Sequence, residues 1–533
     1  MTILYRDETT APLLHHRPPL LTGAGWRLLL MLVVVLSVLW HAPVTAALLY
    51  VDQDNKNCND RRSSASSEPY CTVAAAFRDL RSGDTMRIRE SARPYSLSVV
   101  ATQSGPITIE ADAGHRPVLT NDRSDTILLL LNISDWTIQG LTFDGAGQEV
   151  RYAIVVDAKF RHVRNIRIQQ NRFVNLGGTI GHFKKPMAIR LTNSRWKKGK
   201  PQAHAFYVSD SLIQDNVFDN CTHGGIALKH TKNITIANNK MVQFRCGRYT
   251  DGRIGVQAIK IAFSSLDTMI RGNRIGDFQP SAECPLQPDR NPQNGEIGRS
   301  KYVGIYCDVG PQRGLVTDNI ISNIDPGRSA SAPNRQGAAI GIQIESRCTD
   351  WEIHNNLIYN IGRYGFRNGS RGTGFADRTE FMHNTIYNIA GDAISIRKGE
   401  RLKIKHNIIA NYGGVGIDFI NYAKCQKSGK KCHITEQTRA FHQKNHEINH
   451  NLFWTENDAQ PVARWFSHNT KLDLSGWHTA TGGYDQLSTY ANPNFVDAAN
   501  GNFALQNRSQ SVPNTRAEAS LGYRPKPKTN HSQ

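Results

Sequence analysis

GIQIESRCTDWEIHNNLIYNIGRYGFRNGS, residues 341–370, is the stretch whose reading decides the fold. Ile342 and Ile344 alternate with Gln343 and Glu345, the period of a strand with one buried face. Ile353, Asn356 and Ile358 follow, and Gly365-Phe366 begins the same pattern again. The repeated form is a small residue, an apolar residue, any residue, an apolar residue, and then I-x-x-N-x-I/F.

Asparagine marks the repeat along the chain. Asn171, Asn216, Asn239, Asn273, Asn319, Asn356, Asn384, Asn407 and Asn451 each have an apolar residue two places on, from Phe173 to Phe453. The shortest spacing is 23 residues, between Asn216 and Asn239 and between Asn384 and Asn407. Longer spacings leave room for loops. A minimum period with insertions in some turns is the mark of a solenoid. The unit is too short for a helix pair and rich in Ile and Val, so it predicts a coil of short strands. Asn suits the sharp turn between two strands because it tolerates the left-handed conformation. Stacked along a column, its amides also have the means to hydrogen-bond from coil to coil.

The rest of the chain fits one elongated body. Mean hydropathy over the 533 residues is −0.46. The one strongly apolar run is Leu28–Trp40, followed by HAPVTA ending at Ala46. It reads as a signal peptide over 1–46, with an uncleaved inner-membrane anchor as the alternative. Residues 47–125 are expected to form an N-terminal cap and first strands, 126–456 the coils, 457–523 a C-terminal cap, and 524–533 a disordered tail. Export makes disulfides possible among nine cysteines. Cys58/Cys71 and Cys425/Cys432 are the expected bridges, with Cys246/Cys284 a third option and Cys307 a small core residue. No cysteine or histidine grouping has zinc-site spacing.

Both ends of the mature chain carry a resemblance. LLYVDQDN, PYCTVAAAFRDL, SGDTMRIRE and ITIEADAGHRPVLT follow one another between residues 48 and 120, with a short amphipathic helix over Thr72–Leu80. Near the other end come Trp477, GGYDQLS and NPNFVDAANGNFALQNRS. These resemble the opening and closing segments of secreted right-handed parallel β-helix proteins, the pectate-lyase-like superfamily. The resemblance implies an all-β, right-handed single-stranded parallel β-helix with caps. It says little of activity, because many chemistries share that fold.

Alternation also places an outward face. The copies AIRLT, GIALKH, AIKIA, GIYCD, GIQIE, GFRNG, AISIRK and GIDFI put Ile342, Ile344, Ile394, Ile396, Ile417 and Phe419 inward. They put Arg190, Lys229, Lys260, Tyr306, Asp308, Gln343, Glu345, Arg367, Arg397 and Asp418 outward on successive coils about 4.8 Å apart. A one-residue slip would bury every charge at once. The expectation is a solvated face whose single charge deletions leave stability nearly unchanged.

Such a face suits an acidic sugar polymer. Lys229 or Lys260 is the expected base and Arg367 the base or acid, with His230 second. Arg190, Tyr306, Gln343, Arg397 and Asp418 are expected to bind substrate. Asp308 and Glu345 are the expected pair for a calcium ion, Ca2+, if one is used. The chemistry would be removal of the C5 proton of a uronate, giving β-elimination or epimerisation. No known active-site signature is complete. The E-x-E strand of some lyases is Gln343-x-Glu345 here with no Lys at the usual spacing, and D-P-H-D, N-T-D and D-D are absent.

Charge agrees with the substrate class. Lys and Arg number 64 against 45 Asp and Glu, for a net charge of +19. A basic exported protein meets something anionic, and no nucleic-acid motif is present. The expected partner is an acidic polysaccharide met by a monomer in the periplasm or outside the cell. A non-catalytic binder and a glycoside hydrolase, the latter drawing on Asp308 with Glu345 or Asp418, stay open as alternatives.

Overall fold

The computed structural model describes residues 46–61, 65–121, 124–145, 150–177, 186–195, 206–245, 247–248, 254–278, 301–325, 338–345, 347–369, 376–397, 399–419, 445–456, 461–465, 471–506 and 522. Residues 1–45, the pairs Cys246/Cys284 and Cys425/Cys432, and the 524–533 tail therefore lie outside them. Among the described residues no helix is long and apolar enough to cross a membrane.

From Ala47 onward the chain is one compact unit. Among its described residues, three sheets of 14, 14 and 13 strands stack side by side. Each strand pairs in parallel with the equivalent strand of the next coil, apart from short antiparallel edge pairs such as Ala463 with Leu472. The stacking begins at Leu48–Val51, which pairs with Thr85–Ile88. This is a parallel β-helix. Ile342, Ile344, Ile394, Ile396, Ile417 and Phe419 are all buried in its central core, so the inward register is the expected one.

The small residue at the start of each copy has a steric cause. A Cβ on Gly341 would lie 2.6 Å from the Gly365 carbonyl oxygen and 2.7 Å from Ile358 Cγ2. Gly341 lies within the strand Ala338–Ile344, where the next coil's backbone fills the space that a side chain would need.

The asparagines do something other than the turn geometry expected of them. None of the nine has positive φ; the residue before each does, among them Gln170, Asp215, Asn238, Gly272, Asp318, Asn355 and His383. The asparagines instead turn inward and form a buried ladder. Asn319 Nδ2 donates to Asn356 Oδ1 at 2.9 Å, Asn356 Nδ2 to Asn384 Oδ1 at 2.9 Å, and Asn384 Nδ2 to Asn407 Oδ1 at 3.2 Å. The same amide oxygens accept backbone N–H groups from the coil before, as Asn356 Oδ1 does from Asn319 N at 3.0 Å. At one end the ladder starts at Leu141 N, which donates to Asn171 Oδ1. At the other it closes on Asp485 and Ser488, both bound to Asn451.

Both ends of the core are covered. Helix Val73–Asp79 is capped by Thr72 Oγ1, which accepts from Ala75 N at 3.2 Å, and its Phe77 stacks on Trp136. Helix Leu474–Thr481 brings the buried Trp477 against Phe419, Trp465 and Tyr484. Cys58 and Cys71 are bridged, as expected. Cys307 is not a free core residue: it is bridged to Cys348, because the inward strand position faces the turn that follows Glu345. Cys221 is free and buried.

Replacing Asn356 by Ala removes one rung and leaves buried donors and acceptors on both neighbouring coils unpaired. The expected loss is about 1–3 kcal/mol per orphaned group, read by urea unfolding against wild type. A second expectation concerns pH. His383, His406 and His450 stack ring on ring at 5.0 and 4.8 Å. Burial first, then the neighbouring His383, His450 and Lys405, push His406 down to about 4. The unfolded chain takes up that proton near pH 6.5 and the folded chain does not until about 4. This contribution to stability is therefore complete above about 6.5 and is lost as pH falls toward 4. Melting temperature across that window should fall less steeply in His406→Asn than in wild type.

Candidate functional site

The second sheet carries the outward face. Its register sets Arg190, Ala227, Lys260, Tyr306, Gln343, Arg367, Ser395, Asp418 and Arg464 in one column, one residue per coil. Lys229, Ala262 and Asp308 form a parallel column two residues on.

Most of the face is not solvated; Arg190, Lys229, Asp308 and Arg464 are half-buried and the rest is buried. Lys260, Arg367 and Arg397 are only 7, 7 and 8 % exposed, and Gln343, Ser395 and Asp418 are closed off completely or nearly so. The expected register is right, but the cost of burying these charges is met by pairing rather than avoided. Lys260 Nζ lies 2.6 Å from Asp308 Oδ2 and 4.9 Å from the centre of the Tyr306 ring. Arg367 and Arg397 lie 5.8 and 5.9 Å from the centre of the Tyr364 ring. Long cationic side chains thus lie along aromatic neighbours instead of reaching into water.

Two clusters result. In the first, Tyr306 OH donates to Asp308 Oδ1 at 3.2 Å, and Gln343 Nε2 donates to Glu345 Oε1 at 2.7 Å. Burial, then the Asp308 and Glu345 charges, raise the Tyr306 hydroxyl well above the usual phenol range, so it keeps its proton. This arrangement does not suit the calcium ion expected at Asp308 and Glu345. Their oxygens already face an ammonium, a phenol and an amide, and Lys260 would have to be displaced. Among the described residues, no three His, Cys, Asp or Glu side chains come together to hold a metal.

In the second cluster, Arg397 Nη2 donates to Tyr364 OH at 3.5 Å. Asp418 lies beside Asp392, and Arg464 reaches both, with Nη1 3.3 Å from Asp418 Oδ1 and Nη2 3.5 Å from Asp392 Oδ1. Burial, then the Asp392 charge, push the Asp418 carboxyl up to about 7. Both oxygens of Asp418, with Gln343 Oε1 and Ser395 Oγ, are buried without a hydrogen-bond partner.

Other expected site residues stand apart. Lys229 packs over Phe263, with Ala262 between it and Asp308 in the column. His230 is buried at the strand end, at φ 54, and stacks on Phe263. Burial, then Lys229, hold its ring near 4, so it is neutral. Arg190 lies over Tyr152, coils away from the rest. Three residues of the second cluster escaped the sequence reading. Tyr364 and Asp392 precede the small residue that opens each copy, and Val303 and Ile340 mark that same upstream column. Arg464 lies past the last Asn of the repeat.

A family model described as "Right handed beta helix region" matches residues 126–279. The fold is a right-handed parallel β-helix. Among solved structures, the GH136 lacto-N-biosidase from Eubacterium ramulus aligns with a TM-score of 0.50 at 13 % identity, over 83 % of this chain and 67 % of that one. The complex of XylC with xylose follows at 0.49 and 11 %, over 78 % and 86 %. The periplasmic alginate epimerase AlgG gives 0.45 and 9 %, over 79 % and 84 %. At these identities the likeness is one of fold. No curated protein matches the chain by sequence.

The buried pair sets an expectation for stability that differs from that of a solvated face. Lys260→Ala leaves the Asp308 carboxylate without its cation and should cost about 1–3 kcal/mol, less than in a fully buried pair because Asp308 is 21 % exposed. Removing both partners should cost less than the sum of the single changes, a coupling that a double-mutant cycle of chemical unfolding measures.

Proposed function

We propose that this is an exported protein that acts on an acidic, uronate-containing polysaccharide, as a lyase or C5-epimerase working along the second sheet. The observation that supports this most is the run Gln343, Arg367, Ser395 and Asp418 on four consecutive coils, three of which bear buried polar atoms without partners. Each such atom costs about 1–3 kcal/mol when nothing bonds it. A ladder of them is retained where a ligand supplies the missing groups. A sugar chain supplies hydroxyls at a regular repeat, and a uronate adds a carboxylate for the guanidinium of Arg367 or Arg397.

That contact also suggests the chemistry. Once its carboxylate is neutralised by arginine, a uronate gives up its C5 proton more readily, because the charge that develops spreads onto the same carboxylate. Loss of the C4 oxygen then gives elimination, and return of the proton from the other side gives the epimer. The net charge of +19 favours an anionic polymer, and two bridged cysteine pairs favour an oxidising compartment. The periplasm and the cell exterior both meet that condition, whether the N-terminal segment is cleaved or anchors the protein.

Uronate polymers assayed with and without chelator should yield products with ultraviolet-absorbing unsaturated ends, or a changed epimer ratio. Arg367→Ala and Arg397→Ala should each lower kcat/KM about 10- to 100-fold, the value of a charged hydrogen bond. New reducing ends without unsaturation would instead indicate a hydrolase. Binding without turnover would leave a polysaccharide-binding protein.

A further inference from the structure

Asp418 is 1 % exposed, and its two oxygens have no donor. Arg464 Nη1 is 3.3 Å away and offers charge without a hydrogen bond. A buried carboxylate in that position is poorly accommodated. Carrying a proton, it can donate to the neighbouring Asp392. Asp392 is suited to accept, since its Oδ1 is already oriented by Val415 N at 3.1 Å and by Arg464. The neighbouring Ser395, paired in register with Asp418, adds a second observation: its hydroxyl is fully buried and also lacks a partner. Unlike Asp418, Asp392 and Arg464 are partly open, at 14 and 24 % side-chain exposure, so a ligand meets the pair at Asp392, and Asp418 reaches it through a side-chain movement that uncovers its carboxyl.

We infer that Asp392 and Asp418 form a proton-sharing pair that carries out elimination from one face of a bound uronate, Asp392 as base and Asp418 as acid. The inference rests on the uronate reading given above and names the residues that perform it. The step balances. The C5–H bond breaks and its proton passes to Asp392. The electron pair becomes the C4–C5 double bond, the C4–O bond breaks, and its pair stays on the oxygen, which takes the Asp418 proton. Asp418 is left as a carboxylate beside Arg464, and Arg397 adds positive charge nearby. The pair ends with one proton, as it began, and transfer of that proton from Asp392 back to Asp418 restores the starting state.

Acid and base on one side impose a stereochemical limit. The C5 hydrogen and the C4 oxygen must leave from the same face of the ring, as in mannuronate and glucuronate, and not from opposite faces as in galacturonate and guluronate. Epimerisation needs a proton returned from the opposite face, which this pair does not supply, so elimination is the outcome.

Full-length protein is assayed on polymannuronate, glucuronan and polygalacturonate by ultraviolet absorbance, with binding followed by calorimetry. Turnover is expected on at least one of the first two and not on the third. Asp418→Asn should lose about 100-fold or more, the scale of general acid catalysis, while still binding the polymer. The rate should fall as pH rises through about 7, where the shared proton is lost. Arg464→Gln, by removing a positive neighbour, should move that limb to higher pH, a shift that loss of packing alone does not produce. Wild-type turnover with an active Asp418→Asn variant, an unmoved pH limb in Arg464→Gln, or preference for polygalacturonate overturns the pair. Absence of wild-type turnover on every uronate polymer overturns the uronate reading itself, and the pair with it.

Discussion

Buried turns must have their polar groups satisfied, and in this chain one side chain per coil does that. A coil of short strands bends three times, and each bend turns backbone N–H and C=O groups toward a core without water. The asparagine ladder meets this at one corner: each amide accepts from the backbone of the coil before, and donates to a carbonyl of the coil before and to the amide of the coil after. Removing the amide at one coil affects its neighbours on both sides, which is why the residue recurs in one phase from Asn171 to Asn451. The ladder has defined ends, at Leu141 and at the buried Asp485 of the C-terminal cap.

A fixed register at the corner fixes the faces of the sheets. With the apolar pairs locked inward, every third-position residue of the copy stands outward in one column at the spacing of hydrogen-bonded strands, about 4.8 Å. That spacing is what lets single residues from nine coils make a continuous line from Arg190 to Arg464. Function on such a fold is a matter of which residues fill the column, since the scaffold itself is shared by different chemistries.

The sequence shows the fold almost completely, because period, core alternation and small corner residue are local patterns. Gly341, Ile342 and Asn356 each reveal their place without knowledge of the rest. The site was legible only in part. The column from Lys260 to Asp418 follows from alternation, but burial of a face depends on what covers it and how its members pair, and neither is a local property. Lys260 illustrates this: outward by register, it is nonetheless held by Asp308 and laid on Tyr306. Asp392 lies outside the repeated pattern and Arg464 beyond its last turn, so their meeting at Asp418 appears only in three dimensions. Cys307 follows the same rule, since its partner Cys348 sits in a turn and not in a strand.

The central claim is that this column binds an acidic sugar with its carboxylate at the arginine pair. The most direct test is a crystal structure of the Asp418→Asn protein with a mannuronate or glucuronate oligosaccharide. The account predicts a chain of sugars on the second sheet, one carboxylate on Arg367 or Arg397, and Gln343 and Ser395 moved from their closed positions to meet its hydroxyls. A sugar bound on another face, or on this face with its carboxylate turned away from both arginines, would contradict it.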